Sequence, residues 1–157
     1  MKPLLILLLH PILQLCQEIS LPSYHESNCV QSMVMVLEQS TTIKFSKQDL
    51  KEIHINYPNA WKMVDSNDPK TKGIVYNLVK RGIATEVTLY QLQAGDVVQF
   101  WEQGWGHCGI VKGCNYPKHL LWLWSSMPNT NFALTSFIFP KKFYACRIKK
   151  AYLKAVE

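Results

Sequence analysis

The stretch GDVVQFWEQGWGHCGIV, Gly95 to Val111, sets a histidine and a cysteine side by side after a Gly-Trp-Gly loop. Val97, Val98, Phe100 and Trp101 mark one strand, and His107 to Val111 mark the next. Neighbours on a strand point to opposite faces, so His107 and Cys108 cannot readily serve one site from adjacent positions. One of them needs a partner from elsewhere in the chain.

Working outward, short β-branched or aromatic runs separated by Gly, Asn and Pro follow the same pattern. They are EVTLY (Glu86–Tyr90), LLWLW (Leu120–Trp124) and FYACRIK (Phe143–Lys149). Helix signals lie upstream. Asn28-Cys29-Val30-Gln31 has the form of a capping box ahead of the apolar run VQSMVMVL, which predicts a buried helix ending near Gln39. Ser46 with Asp49 marks a second helix start. Asp68-Pro69 opens a third helix, closed by Lys80-Arg81-Gly82. Helices first and an antiparallel sheet second imply one α+β domain.

With 157 residues, 48% of them hydrophobic and 18% charged, the chain can bury a core and is not a disordered polypeptide. The greasy run Leu4–Leu15 is too short and too broken by His10-Pro11 to span a bilayer. It reads as a signal peptide over residues 1–20, leaving 21–157 as the domain and placing the protein outside the cell or in a periplasm. The alternative is a buried N-terminal helix. The formal net charge of +6 suits an anionic surface such as a cell wall. No basic stripe interleaves with aromatics, so nucleic acid is not expected as a partner. No Cys-x-x-Cys and no spaced Cys/His quartet is present, so neither a metal nor another cofactor is expected. Cys114 with Cys146 is the disulfide pairing suggested by their placement in the sheet region.

The candidate partner for His107 is Cys29. At the first position of a capped helix, free N–H groups and the positive dipole end stabilise a thiolate. The Cys29 N–H is placed to hold an oxyanion, and an imidazole could take the thiol proton and return it to a leaving amine. If a hairpin turns about Tyr116, position 107 faces 125, which makes the Ser125 hydroxyl a candidate to orient the imidazole. A register slip brings Ser126 instead. Gly109, on the face of His107, would leave room for a helix end, while Cys108 packs on the other face. Asp96 reads as a turn residue. Trp105, between two glycines, is a candidate for the substrate groove, and Tyr24 for the oxyanion pocket or the loop before the helix.

These segments, NCVQSMVMV followed by GDVVQF and GHCGIV, resemble the NlpC-type and CHAP-type cysteine peptidases of the papain-like superfamily. The likeness covers roughly residues 28–126. It implies a papain-like fold with N-terminal helices on an antiparallel sheet, Cys29 as nucleophile, His107 as base, and hydrolysis of amide bonds in peptidoglycan peptides. Two positions depart from the group: the nucleophile motif is Asn-Cys-Val-Gln rather than Asp-Cys-Ser-Gly, and no His, Asn, Gln or Glu follows on the next strand until Asn129. A non-catalytic binding module on the same fold, and a thiol acyltransferase or deamidase acting on a protein, are the alternatives.

Overall fold

A computed structural model describes residues 10–55 and 58–156. The helices are α1 (Pro11–Glu18), α2 (Cys29–Ser40), α3 (Lys47–Ile53), α4 (Ala60–Asp65) and α5 (Gly73–Lys80). The strands are β1 (Ala84–Val87), β2 (Val97–Glu102), β3 (Trp105–Asn115), β4 (Leu120–Met127), β5 (Asn131–Ile138) and β6 (Lys142–Ile148). They form one antiparallel sheet in the order β1-β6-β2-β3-β4-β5. The α+β arrangement matches the expectation.

Local chemistry accounts for the helix ends. Both capping boxes close: Asn28 with Gln31 at α2, and Ser46 with Asp49 at α3. The helix expected from Asp68 to Gly82 is instead divided. Asp68 caps a 3-10 turn (Pro69–Lys72), and Gly73, at φ 50°, restarts the chain as α5. The Gln99 side chain fills the space beside Gly73, where an added Cβ would meet its Oε1 at 2.8 Å. The first strand stops at Val87, and Leu89–Gln91 forms a 3-10 turn rather than the strand end expected there.

The sheet has two faces with different covers. Helix α2 lies on β3 and β4, and α5 lies on β1, β2 and β6. Met33, Val36 and Leu37 of α2 and Ile74, Val75 and Leu78 of α5 meet Val97, Cys108, Ile110, Cys146 and Ile148 in the main core. The opposite face buries Val98, Phe100, Val111, Leu121, Leu123 and Ala145 without a helix. Curvature closes that face. Phe100 on β2 and Phe137 on β5 are three strands apart, yet their ring centroids are 5.3 Å from each other. In a flat sheet they would stand about 14 Å apart at roughly 4.8 Å per strand, so the sheet curls around these side chains.

The N-terminal apolar run falls partly outside the described residues, at 1–9. Its second half is α1, whose Ile12, Leu13 and Cys16 are buried in the main core. No helix among the described residues is long and apolar enough to cross a membrane.

Candidate active site

Cys29 is the first residue of α2. Asn28 Oδ1 accepts the N–H groups of Val30 and Gln31, both at 3.1 Å, and Gln31 Oε1 accepts that of Asn28 at 2.9 Å. The capping box thus takes three donors and does not occupy the Cys29 N–H. The preceding loop is fixed through the Ser27 carbonyl, which accepts from the Ser32 hydroxyl at 3.2 Å and the Ser126 hydroxyl at 3.3 Å. A short tether from β4 therefore holds the residue before the helix.

Cys108 faces away from His107 together with Ile110 and packs in the core as expected, but theirs is the face that the helices cover. Cys108 and Ile110 point to the helix side, where Cys29 packs against the same core cluster. His107 points into the curl of the sheet. Its ring lies 5.5 Å from Phe100, 5.4 Å from Phe137 and 6.1 Å from Trp105, centroid to centroid. Strand alternation separates the two faces correctly, but only tertiary packing decides which one the helix covers.

A split in the sheet lets both residues reach Cys29. Strands β3 and β4 pair from Asn115 back to Ile110 and no farther, while β4 stays paired with β5 through Met127. Residues 105–109 of β3 therefore pair with β2 alone. The N-terminus of α2 meets the sheet at this gap. The Cys108 thiol is the main group drawing the Cys29 thiol well below the usual range. Desolvation opposes it, and the His107 ring, by hydrogen bond and charge, and the Cys108 N–H add to the lowering. The Cys108 thiol is pushed well up, first by donating to Cys29 and then by burial. As a pair, the two sulfurs favour one shared proton, carried by Cys108.

The other candidates are placed differently from expectation. A bulge between Val111 and Gly113 shifts the hairpin, and Ile110 faces Trp124. Ser125 consequently lies against Gly109, with its Cβ 3.1 Å from where a Gly109 Cβ would stand, rather than directly across from His107. The close neighbour of Gly109 is thus β4 and not a helix end. Ser125 Oγ and His107 Nε2 are both buried, and neither has a hydrogen-bond partner among the described residues. Ser126 positions the Cys29 loop instead of the imidazole. Trp105 is 42% exposed and its edge approaches His107. Tyr24 sits in the turn before α2, its N–H bonded to Asn131 Oδ1 at 3.0 Å. The loop assignment of Tyr24 holds, and it does not line the cavity at Cys29.

That cavity measures about 100 Å³. Helix α2 contributes Cys29 and Val30, and the end of α3 with its following chain contributes Ile53 and Ile55. Gln99 and Trp101 of β2 and Gly106 and His107 of β3 complete it. Gln99, Trp101, Ile53 and Ile55 were not among the residues singled out from sequence. The signal for Gln99 lay in the strand pattern, since Gln99 pairs with Cys108 and shares its face.

Asp96 does more than shape its turn. It is 1% exposed and accepts two bonds from Arg147, at 2.8 and 2.9 Å, and the Gln93 N–H at 2.8 Å. All five cysteines are free. Cys114 and Cys146 belong to clusters on opposite faces of the sheet, which separates the pair suggested from sequence. Among the described residues, no three His, Cys, Asp or Glu side chains are grouped to hold a metal ion. No family model, no curated protein and no solved structure matches the chain.

Proposed function

We propose that this chain is an exported papain-like cysteine hydrolase that cleaves amide bonds in peptidoglycan peptides. The observation that carries the reading is Cys29 at the head of a capped, buried helix, with its sulfur against the His107 ring and the Cys108 thiol and a cavity beside it. A thiolate at a helix N-terminus is the attacking species such chemistry needs. The Cys29 sulfur adds to the carbonyl carbon, and its own N–H, left over by the capping box, receives the developing oxyanion. His107 takes up the proton that the Cys29 thiol gives up and passes it to the amine as the carbon–nitrogen bond breaks. Water then adds to the thioester, giving a proton to His107, the carbon–sulfur bond breaks to restore the Cys29 sulfur, and the acid leaves. The basic net charge supports an anionic polymer as the substrate.

Cys29→Ala is expected to lower release of new amino groups from purified peptidoglycan by at least ~1,000-fold, with the melting temperature near that of the parent protein. Undiminished release by the variant would overturn the assignment. One observation favours a non-catalytic binding module: His107 is packed among three aromatic rings, and its Nε2 has no orienting partner among the described residues. Iodoacetamide separates the two readings. A catalytic Cys29 alkylates fast at pH 6 to 7, whereas a merely structural thiol does not.

A further inference from the structure

We infer that the cavity beside Cys29 is a pocket for one short aliphatic group, of alanine to valine size, on the carbonyl side of the bond attacked. This inference rests on the thiol-hydrolase reading and adds a substrate class to it. The walls are Val30, Ile53, Ile55 and the Trp101 ring, and apart from the reacting Cys29 and His107 no ionisable side chain lines the cavity among the described residues. A carboxylate or ammonium group placed there would lose its water without gaining a partner, at a cost of several kcal/mol. The volume, about 100 Å³, sets the size limit. A cavity of roughly 150 Å³ is what holds a benzene ring, so an aromatic side chain exceeds this one while a three-carbon branch fits.

The Trp101 wall is held in place. Trp101 Nε1 donates to the Thr71 carbonyl at 2.8 Å, fixing the indole from behind. The face of the ring leans over Gly106, where an added Cβ would meet ring atoms at 2.7 to 2.9 Å. Gln99 is 4% exposed, and its amide side chain makes one long hydrogen bond, 3.5 Å from Nε2 to the Phe100 carbonyl. It is the polar group at hand for the substrate's own amide, next to an otherwise apolar surface. A small apolar hole with one amide at its edge selects a backbone bearing a compact aliphatic side chain.

Peptidyl chloromethyl ketones carry a chosen side chain beside a carbonyl that delivers alkylation to the thiol, so they probe the pocket without requiring turnover. Rates of Cys29 modification, read by mass spectrometry on the full chain, are expected to be roughly tenfold or more higher for Ala and Val reagents than for Phe, Glu and Lys reagents. Ile53→Ala deepens the pocket and should raise the Phe-to-Ala rate ratio about fivefold or more. Val30→Ala, on a less buried wall, should move the ratio in the same direction and guards against a folding failure of the first variant. Equal rates for Ala, Phe, Glu and Lys reagents, or a ratio unmoved in both variants, overturn the pocket. If Cys29 still reacts rapidly with plain iodoacetamide in that case, the hydrolase reading stands without it. If Cys29 resists iodoacetamide as well, both readings fall.

Discussion

The Cys108 thiol lowers the pKa of the Cys29 thiol more than the neighbouring His107 ring does. A residue adjacent to the candidate base therefore tunes the candidate nucleophile. Cys108→Ala removes that thiol and little volume. Loss of one hydrogen bond to a charged group is worth about 1.5–3 kcal/mol, which corresponds to roughly one to two pKa units. The midpoint of the alkylation rate of Cys29 against pH should rise by that amount, making the variant slower at pH 6 and nearly equal to the parent at pH 10. An unchanged midpoint would mean that His107 and the helix end alone hold the thiolate.

The Asp96–Arg147 pair makes an asymmetric prediction. Asp96 is buried, while the Arg147 side chain is 37% exposed. Arg147→Ala strands a carboxylate in the interior, a change that costs about 3–5 kcal/mol when buried pairs are broken. Asp96→Asn removes the charge and lets the guanidinium turn to water, so its cost should be smaller, about 1–2 kcal/mol for the weakened bonds. Urea denaturation of both variants checks the order. If Asp96→Asn is the more damaging, the carboxylate is stabilised by something other than Arg147.

The candidate site was legible where its signals are local. A capping box is read within four residues, and Asn28-Cys29-Val30-Gln31 forms both of its bonds. Strand alternation correctly set His107 and Cys108 on opposite faces. It could not say which face the helices cover, because that depends on where the distant apolar stripes of α2 and α5 land. The hairpin parity survived, with Ser125 on the side of Gly109 and His107, yet the bulge after Val111 moved the register so that Ser125 met Gly109. Strand β5, at the sheet edge, mixes polar and apolar residues in NFALTSFI and gave no β-branched run to mark it.

Buried thiols predict weakening in alkali. Burial raises Cys16 to about 12 and raises Cys146 still more. These acids stay protonated in the folded chain while the unfolded chain loses its thiol protons above a pH of about 8.5. The unfolded state then binds fewer protons, so stability falls as pH rises, by about 1.4 kcal/mol per pH unit for each such thiol. Urea denaturation in reductant at pH 8 and pH 10 should show this slope. Cys16→Ala should remove one thiol's share of it, and an identical slope in the variant would show that Cys16 does not titrate this way.

Helix α1 supplies a test of the N-terminal segment. Ile12 and Leu13 are 0% and 2% exposed, and the His10 ring closes on the turn at Gly95, where an added Cβ would meet it at 2.5 Å. Burying an aliphatic side chain of this kind contributes about 1.5–3 kcal/mol, so the two together represent roughly 3–6 kcal/mol. A domain of this size loses about 2–4 °C of melting temperature per kcal/mol. A chain beginning at Leu21 should therefore melt about 6–24 °C below the full chain, and it should expose apolar surface that binds a hydrophobic dye. Equal melting temperatures for the two chains would show that α1 adds nothing to the folded core.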